Sequence, residues 1–490
     1  MTRPDMQIAQ RRVKAAHKYE VVGPFSQLAI AGKTFHFIGA GGIGMSGLAQ
    51  VLLTKEAIIT GSDKTPTAIT KRLCSLGADI RIGHNAGNLR PETDVVVISA
   101  AITEDNPELK LARRRGLKVC KYAQMLGELM GRHQGIAVSG THGKSTTTGW
   151  LVYSLKQAGI DANFVVGAEV TQLGGSSGTG SSEYFVAEAC EYDRSFLNLK
   201  PTIACILNIE RDHLDCYRDE QEIVESFTQF ALGVRTNGLV VANAQDPNVA
   251  KIIGQLRNRV DFETFGLDKA CNFQARHVKQ IDGLYAFDVF HNDRRLGSTK
   301  ISMPGRHNVQ NALAVVVMAV NVGVPAELIL QLLPQFTGVD RRAMLKGRFS
   351  QVTVLDDYAH HPTEIKATLE AVRQRYRPAR LWCVFQPHQY SRTKYFLEEF
   401  AGSFGLADFV IIPEIYFVRD SQANKESINS QILVEKVRAN GTNAVSICDL
   451  GAVCDYLEAN VTAGDLVITM GAGDVWKVAD EYIQRLRAHS

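Results

Sequence analysis

The segment that most constrains the fold is residues 135–149, with the sequence GIAVSGTHGKSTTTG. Its apolar start, residues 136–138, predicts a short buried strand, which Gly140 and Gly143 interrupt before a helix predicted from Ser145 onward. A glycine turn between a strand and a helix N-terminus makes a good anion site, because backbone N–H groups and the helix dipole both face the anion. The segment therefore predicts a phosphate-binding turn.

Two side chains in this turn indicate which kind of phosphate it holds. Lys144 can reach the outer phosphates of a nucleotide, and the hydroxyl of Ser145 can ligate Mg²⁺. The usual phosphate-loop pattern has glycine where this chain has Val138, so the loop is a compact variant. The alternative is an ordinary strand–turn–helix. A lysine and a hydroxyl directly after two glycines favour a nucleotide triphosphate site instead.

Length and composition limit the classes of protein to which the chain can belong. At ~150 residues per domain, its 490 residues predict about three domains. A net charge of +3, with Lys and Arg scattered, gives no indication of nucleic-acid binding. The nine cysteines lack metal-ligand spacing and are interpreted as reduced thiols. Without a signal peptide or an apolar run of ~18 residues, we expect a soluble, cytoplasmic protein with no membrane partner.

The first part of the chain predicts an α/β domain. After an extension at residues 1–32, a strand at residues 34–38 runs into a glycine-rich turn and an apolar helix, and βα alternation continues. This pattern predicts a doubly wound, mainly parallel sheet. The turn suits a diphosphate, and Asp63 follows where an acidic ribose contact is expected. Three alternatives stay open: glycines that only permit packing, a dinucleotide cofactor, or a substrate carrying a nucleoside diphosphate.

Two strands after the phosphate loop are predicted to end in acidic or imidazole groups. One ends at Glu188, and the next leads to His213, which stands between Asp212 and Asp215. Strand ends beside a phosphate loop are where an α/β sheet gathers metal ligands. Glu188 and His213 are therefore candidate metal ligands, with Ser145 as a third. The alternative is that these groups are surface-loop residues.

A polar motif precedes a long apolar helix predicted at residues 312–322. Asn308 and Asn311 lie three residues apart at its start, so they would share one helix face. The alternative for Asn308 is a plain helix N-cap. Farther upstream, the glycine- and serine-rich residues 174–182 predict a flexible hairpin or loop.

The last third of the chain again alternates strands and helices beyond a predicted hinge at residues 337–342. Polar clusters follow two of its strands, so these strand ends are also expected to present ligand-binding side chains. The clusters are residues 356–361 and 386–392, the predicted strands are residues 352–355, 381–385, 409–413 and 465–470, and helices are predicted from Thr363 and Lys394.

Six stretches taken together resemble the Mur ligases of peptidoglycan synthesis. They are residues 37–46 (FIGAGGIGMS), 99–107 (SAAITEDNP), 140–148 (GTHGKSTTT), 304–311 (PGRHNVQN), 356–364 (DDYAHHPTE) and 385–388 (FQPH). The resemblance covers about residues 34–480. It implies an α/β protein of three domains, each a mainly parallel sheet flanked by helices. These are a Rossmann-like substrate domain at residues 33–121, a P-loop ATPase domain at residues 122–340 and a Rossmann-like amino-acid domain at residues 341–490.

The resemblance also implies a reaction, in which ATP and Mg²⁺ support the joining of L-alanine to the carboxylate of UDP-N-acetylmuramate through an acyl phosphate. The first glycine turn would then hold UDP rather than a dinucleotide cofactor. Members acting later in the pathway carry a carbamylated lysine after the position of His213. This chain has no lysine at residues 214–250, which favours the alanine-adding step.

Three other interpretations compete with this one. A murein-peptide ligase of cell-wall recycling would share the chemistry but add a tripeptide. An NAD-dependent oxidoreductase would leave Lys144 and Ser145 without a purpose. An impaired nucleotide-binding regulator is less consistent with the presence of Lys144, Glu188 and His213. In each case we expect a monomer or homodimer whose partners are small molecules.

The resemblance assigns roles only to matching positions. Lys144, His213, Arg342 and Asp357 would be catalytic, and His213 or His360 would accept the ammonium proton. Ser145, Glu188 and His213 would hold Mg²⁺. ATP would contact Gly140, Thr141, His142, Gly143, Lys144, Ser145, Thr146, His307, Asn308 and Asn311. The other substrates would contact Gly39, Gly41, Gly42, Gly44, Met45, Ser46, Asp63, Glu191, Asp193, His360, His388 and Arg392.

Three positions depart from the family pattern. The family usually reads E-A-D-E-S-D where this chain has EACEYD, so Cys190 replaces a carboxylate and Tyr192 replaces a small residue. Ala343 stands where an aromatic residue usually follows two arginines. These departures bear on metal affinity and on whether alanine, glycine or serine is added.

Overall fold

The structure, a computed structural model, describes residues 29–213, 215–267, 270–418 and 420–488. Most of the predicted extension at residues 1–32 therefore lies outside the described residues. The chain forms two compact units. The first contains residues up to 277 together with 287–299 and 310–337, and the second contains residues 278–286, 300–309 and 338 onward.

The first unit begins with a five-stranded parallel sheet. Its strands are β1 (Thr34–Ile38), β2 (Ile58–Asp63), β3 (Asp79–Ile82), β4 (Val95–Ile98) and β5 (Lys118–Lys121), and its helices are α1 (Ile43–Leu53), α2 (Ala68–Ser75) and α3 (Pro107–Arg114). The order β3-β2-β1-β4-β5 places the fully buried β1 at the centre. Because strand order reverses beside β1, the turn after β1 lies where such sheets bind ligands.

A ten-stranded sheet comes next along the chain. Its strands are β6 (Gln134–Ser139), β7 (Asn163–Val165), β8 (Ser177–Gly178), β9 (Tyr184–Glu188), β10 (Ile203–Ile206), β11 (Leu239–Asn243), β12 (Asp261–Gly266), β13 (Phe273–Ile281), β14 (Leu284–His291) and β15 (Arg294–Lys300). The helices of this region are α4 (Tyr122–Gly131), α5 (Lys144–Gln157), α6 (Glu220–Leu232), α7 (Pro247–Leu256), α8 (His307–Asn321) and α9 (Ala326–Leu332).

The strand order in this sheet explains where a site can form. The order is β15-β14-β13-β12-β11-β10-β6-β9-β7-β8, so β6 lies between β10 and β9, and it is parallel to both. Parallel neighbours bring their carboxyl ends to one edge of the sheet. The phosphate loop, the segment after Glu188 and the segment after β10 therefore start side by side.

The second unit contains a six-stranded sheet in the order β16-β17-β21-β18-β19-β20, in which the edge strand β16 is antiparallel to β17 and the other pairs are parallel. These strands are β16 (Met344–Phe349), β17 (Val352–Asp357), β18 (Leu381–Phe385), β19 (Phe409–Ile412), β20 (Asn443–Ser446) and β21 (Leu466–Met470). The helices are α10 (Pro362–Tyr376), α11 (Tyr390–Tyr395), α12 (Leu397–Ala401), α13 (Gln422–Ser427), α14 (Ser430–Ala439), α15 (Leu450–Asn460) and α16 (Trp476–Ala488). The predicted fold class, mainly parallel sheets flanked by helices, is confirmed.

Two predicted helix starts are wrong, each for a physical reason. The helix predicted from Lys394 begins earlier, at Tyr390, because the carboxylate of Asp420 accepts the N–H of Tyr390 at 2.6 Å. That cap comes from 30 residues away, beyond what local pattern can indicate. The helix predicted from residue 312 begins at His307, because residues 307–311, four of which are polar, form a first turn ahead of the apolar run.

Among the described residues, no helix is both long and apolar enough to cross a membrane. All nine cysteines are free thiols, as predicted.

Candidate active site

The phosphate loop lies between β6 and α5, as predicted. Gly140 and Gly143 have φ angles of 141° and 83°, which favour glycine. The helix α5 begins directly at Lys144. A Cβ added at Gly143 would lie 2.8 Å from Oδ1 of Asn311, so this glycine also allows Asn311 to approach the loop closely. The loop thus presents the first N–H groups of α5 beside a polar amide.

Asn208 holds the loop in place, a role that its position in the sequence does not predict. Its carbonyl accepts the N–H of Thr141 at 3.0 Å, its Oδ1 accepts the N–H of His142 at 2.7 Å, and its Nδ2 donates to the carbonyl of His142 at 3.0 Å. These three hydrogen bonds fix the loop backbone from the end of the neighbouring β10. An asparagine after a strand is too common for this role to be recognised from sequence.

Lys144 is paired inside the protein. Its Nζ lies 3.0 and 2.9 Å from the two carboxylate oxygens of Glu191, and it donates to the carbonyls of Gly140 and Thr141 at 2.5 and 3.1 Å. Burial alone lowers the pKa of Lys144, but the charge of Glu191, aided by Glu188, outweighs burial and raises the pKa above its usual value. The lysine is therefore a permanent cation at the mouth of the loop.

His213 joins this cluster through the same carboxylate. Its Nε2 lies 3.6 Å from Oε1 of Glu191 and 3.9 Å from Asp212, and the ring of Tyr192 meets the imidazole edge-on at 5.1 Å. Glu191, predicted as a substrate contact, thus links the predicted phosphate lysine to the predicted metal and catalytic histidine. The sequence did not indicate this link.

Glu188 and Ser145, two of the three predicted metal ligands, are in direct contact. The Ser145 hydroxyl donates to Oε2 of Glu188 at 2.8 Å, and the N–H of Gly167 donates to the same oxygen at 2.8 Å. A Cβ at Gly167 would lie 2.6 Å from that oxygen, so any larger residue there would displace the Glu188 carboxylate. Carboxylate and hydroxyl oxygens are hard ligands of the type that Mg²⁺ prefers.

Cys190 does not supply the negative charge of the carboxylate that the family usually has at this position. Burial raises the pKa of this thiol to about 12, so Cys190 is neutral at neutral pH. The carboxylates that contact Lys144 and Ser145 are those of Glu191 and Glu188. Thr146, another predicted loop residue, is buried in the first turn of α5.

In the first sheet, Asp63 is tied to the glycine turn itself. The N–H of Gly41 donates to Oδ2 of Asp63 at 2.8 Å, which brings the end of β2 against the turn after β1. Met45 and Ser46 are buried, and the Ser46 hydroxyl donates to the carbonyl of Ile43 at 2.9 Å. Their side chains stabilise the start of α1, whereas the turn that contains Gly39 and Gly42 lies at the expected ligand edge.

A cavity of about 200 Å³ is lined both by Gly44, at the start of α1, and by Glu188, one of the three metal candidates. Gly44 and Tyr122 line one side, and Glu188 and Cys190 line another. A Cβ at Gly44 would lie 2.8 Å from the Tyr122 ring, so the start of α1 packs directly on that ring. Asp193, by contrast, forms a partly exposed ion pair with Lys121 at 2.6 Å.

The polar start of α8 is helical. Because α8 begins at His307, Asn308 lies inside its first turn, and the N-cap alternative is wrong. The side-chain Nδ2 of Asn308 donates to the carbonyl of Pro304 at 2.7 Å.

In the second unit, Asp357 ends β17 as a buried carboxylate. It accepts the N–H groups of Ala343 and Ala359, each at 2.6 Å, and so joins the residue that follows the predicted hinge to the strand end. The backbone of Ala343 has a φ of 47°, a left-handed conformation that its neighbours hold in place. Arg342 lies 3.4 Å from Glu364 and over the ring of Tyr358.

A second cluster in this unit brings together the three predicted amino-acid contacts. The imidazoles of His360 and His388 meet at a centroid distance of 6.1 Å, and the Arg392 guanidinium lies 3.4 Å from Nδ1 of His388. His388 and Arg392 are largely buried. The three groups stand at the ends of β17 and β18, where the sequence predicts ligand-binding side chains.

We expect Asp357 to make stability depend on pH. Burial is the main cause that raises the pKa of Asp357 to about 6, so the folded protein takes up this proton at higher pH than the unfolded chain. Its contribution to the free energy of unfolding is therefore largest below about pH 4 and falls by about 3 kcal/mol in all as the pH rises through about 6. Asp357→Asn should lack this fall.

The measurement is urea unfolding of both proteins between pH 4 and pH 7, followed by tryptophan fluorescence. Trp382 and Trp476, two of the three tryptophans, lie in the same unit as Asp357. Parallel stability curves for the two proteins would contradict the expectation.

Three family models match the chain. The Mur ligase family catalytic domain matches residues 34–134, the Mur ligase middle domain matches residues 138–319, and the Mur ligase glutamate ligase domain matches residues 341–473.

Named relatives match almost the whole chain. The UDP-N-acetylmuramate–L-alanine ligase of Acetivibrio thermocellus is 43% identical over 92% of this chain and 96% of its own. That of Clostridium novyi is 40% identical over 94% and 99%.

Two solved structures agree with the fold. The UDP-N-acetylmuramate–alanine ligase of Thermotoga maritima superposes with a TM-score of 0.80 at 26% identity, covering 93% of this chain and all of that one. A murein peptide ligase from Psychrobacter arcticus gives 0.71 at 26% identity, covering 93% of this chain and 99% of that one.

Proposed function

The chain belongs to the Mur ligase family, and from this premise we propose that it joins L-alanine to the carboxylate of UDP-N-acetylmuramate at the expense of ATP. The relatives that carry this activity in their names are 40–43% identical over nearly the whole chain. The enzyme is thus an ATP-dependent ligase that forms a C–N bond in peptidoglycan synthesis. The murein-peptide ligase of cell-wall recycling is the second candidate, and its structural neighbour has the lower TM-score of the two.

The observation that carries the proposal is the cluster at the carboxyl ends of β6, β9 and β10. It combines a phosphate loop with a charged lysine, a hydroxyl bonded to Glu188, and a cavity that Glu188 and Gly44 at the start of α1 both line. A nucleotide on the loop and a substrate anchored at the first turn would meet beside Glu188. We propose for the site residues the catalytic, ATP-binding, substrate-binding and metal-binding roles that the family resemblance implies.

The reaction needs an anion to attack an anion. A carboxylate oxygen of UDP-N-acetylmuramate attacks the γ-phosphorus of ATP, the bridging P–O bond breaks and ADP leaves, giving an acyl phosphate. Lys144 would exchange Glu191 for the phosphate oxygens and stabilise their charge. The N–H groups at the start of α5 would orient the phosphates, since Asn208 holds that loop rigid.

In the second half, the alanine amine attacks the acyl carbon and the C–O bond to phosphate breaks. The nitrogen must lose a proton, and His213 and His360 are both candidates to accept it. Arg392 would bind the alanine carboxylate, because guanidinium and carboxylate form paired hydrogen bonds. Arg342 and Asp357 are proposed to act on the bound nucleotide.

The residues present fit Mg²⁺. Ser145 and Glu188 offer hydroxyl and carboxylate oxygens already held 2.8 Å apart, and His213 lies in the adjoining cluster. When bound, the ion would neutralise charge on the phosphate oxygens. The proposed location is the cytoplasm, where ATP and nucleotide-linked precursors are available.

The decisive experiment measures phosphate release from ATP with Mg²⁺ and UDP-N-acetylmuramate, with and without L-alanine. We expect release that requires both substrates, together with formation of UDP-N-acetylmuramoyl-alanine. A parallel reaction contains the tripeptide acceptor instead of alanine. Release with the tripeptide but not with alanine would move the assignment to recycling, and no release with either acceptor would overturn the ligase proposal.

A further inference from the structure

The second unit contains a row of four aromatic rings that extends the cluster of His360, His388 and Arg392. Tyr358 meets His360 edge-on at 5.3 Å, His360 meets His388 at 6.1 Å, and Tyr416 stacks on His388 at 5.6 Å with only 12° between the ring planes. The first three rings follow β17 and β18, and Tyr416 follows β19. Tyr416 therefore covers one face of His388 beside Arg392.

The backbone holds Tyr416 in this position. The N–H of Tyr416 donates to the carbonyl of Pro387 at 2.9 Å, and the N–H of Gln389 donates to the carbonyl of Tyr416 at 3.1 Å. These two bonds form an isolated parallel bridge between His388 and Tyr416. Gln389 has a φ of 71°, a conformation that a residue other than glycine keeps only where its surroundings impose it.

The Tyr416 ring also lies against the backbone of Gly473. A Cβ built on Gly473, in the turn after β21, would lie 2.7 Å from Cγ of Tyr416. Glycine at this position thus leaves just enough room for the ring. Because it packs against both His388 and the backbone of Gly473, Tyr416 has little freedom to move away from a bulky neighbour.

We propose that Tyr416 is a specificity-determining residue, a fixed wall of the acceptor site that admits a small amino-acid side chain and excludes larger ones. The inference rests on the proposed function. In that function His388 and Arg392 bind the amino acid in the acceptor site. A ring stacked on His388 therefore limits the space beside the α-carbon of the bound amino acid. A rigid wall excludes bulk by steric clash, whereas a flexible side chain would move aside.

The test compares kcat/KM for L-alanine, L-valine and L-leucine as acceptors at saturating ATP and UDP-N-acetylmuramate. In Tyr416→Ala, the preference for alanine over valine should fall by roughly tenfold or more, since a methylene or two in a pocket is worth about that much. Tyr416→Phe keeps the ring and should retain the discrimination of the wild type. Thermal melting of each variant checks folding.

Phe417 offers a matched control in the same segment. It is 49% exposed and contacts Tyr390 and Lys425 rather than His388. Phe417→Ala should leave the acceptor preference unchanged. Should Tyr416→Ala lose its melting transition, Tyr416→Val supplies the same comparison while filling part of the space beside Gly473.

The outcomes separate the two proposals. Wild-type turnover with alanine together with an unchanged alanine-to-valine ratio in both small-side-chain variants would overturn the role of Tyr416 and leave the ligase standing. An equal loss of kcat/KM for every acceptor would also overturn it, because it would show a structural role. Absence of wild-type turnover with any acceptor would instead overturn the proposed function.

Discussion

Replacing Lys144 with alanine is expected to reduce phosphate release from ATP by roughly 10³-fold, a loss typical of removing a principal stabiliser of phosphoryl charge. Lys144 is the cation at the mouth of the loop, and its pKa is raised, so it carries full charge throughout the working pH range. Alanine would remove that charge and leave Glu191 without its ion-pair partner. The phosphate oxygens would then face a net negative site.

The measurement is single-turnover and steady-state phosphate release with both substrates. Lys156 provides the control, because it lies exposed at the other end of the same helix. Lys156→Ala should match the wild type in rate. A Lys144→Ala enzyme within tenfold of the wild type would contradict the assigned role, provided that its melting temperature shows it to be folded.

Glu188→Gln is expected to lower kcat/KM by ~10²–10³-fold and to raise the Mg²⁺ concentration needed for half-maximal rate. Glutamine keeps an oxygen that can accept from Ser145 and Gly167, so the local geometry is retained while the charge is lost. A magnesium titration of phosphate release measures both effects.

The matched control for this substitution is Glu183→Gln, at an exposed position just before the same strand. It should show the Mg²⁺ dependence of the wild type. If Glu188→Gln also retained that dependence, Glu188 would not be a metal ligand, and its hydrogen bonds to Ser145 and Gly167 would be its main role.

Much of the fold could be predicted because its signals are local. The strand at β6, the two loop glycines and the helix after Lys144 follow one another within fifteen residues, and each has its own pattern. The meeting of Ser145 and Glu188 was also predictable, because parallel strands present their carboxyl ends together.

The contacts that sequence reasoning missed join distant positions. The clamp from Asn208 spans 66 residues to His142, and the pair between Lys144 and Glu191 spans 47. Such contacts depend on strand order, which the pattern of residues does not specify. The early start of α11 has the same cause, since its cap comes from Asp420.

The ion pair between Lys144 and Glu191 has a further consequence for which anions the loop accepts. The carboxylate is tethered beside the ammonium group, so its effective local concentration is high, of the order of millimolar or more. A single free phosphate ion must compete with the Glu191 carboxylate for the Lys144 ammonium group. A triphosphate gains the N–H groups of the loop as well. We therefore expect the Glu191 carboxylate to prevent simple cellular anions from binding to Lys144. Only polyphosphates should bind strongly enough to displace it.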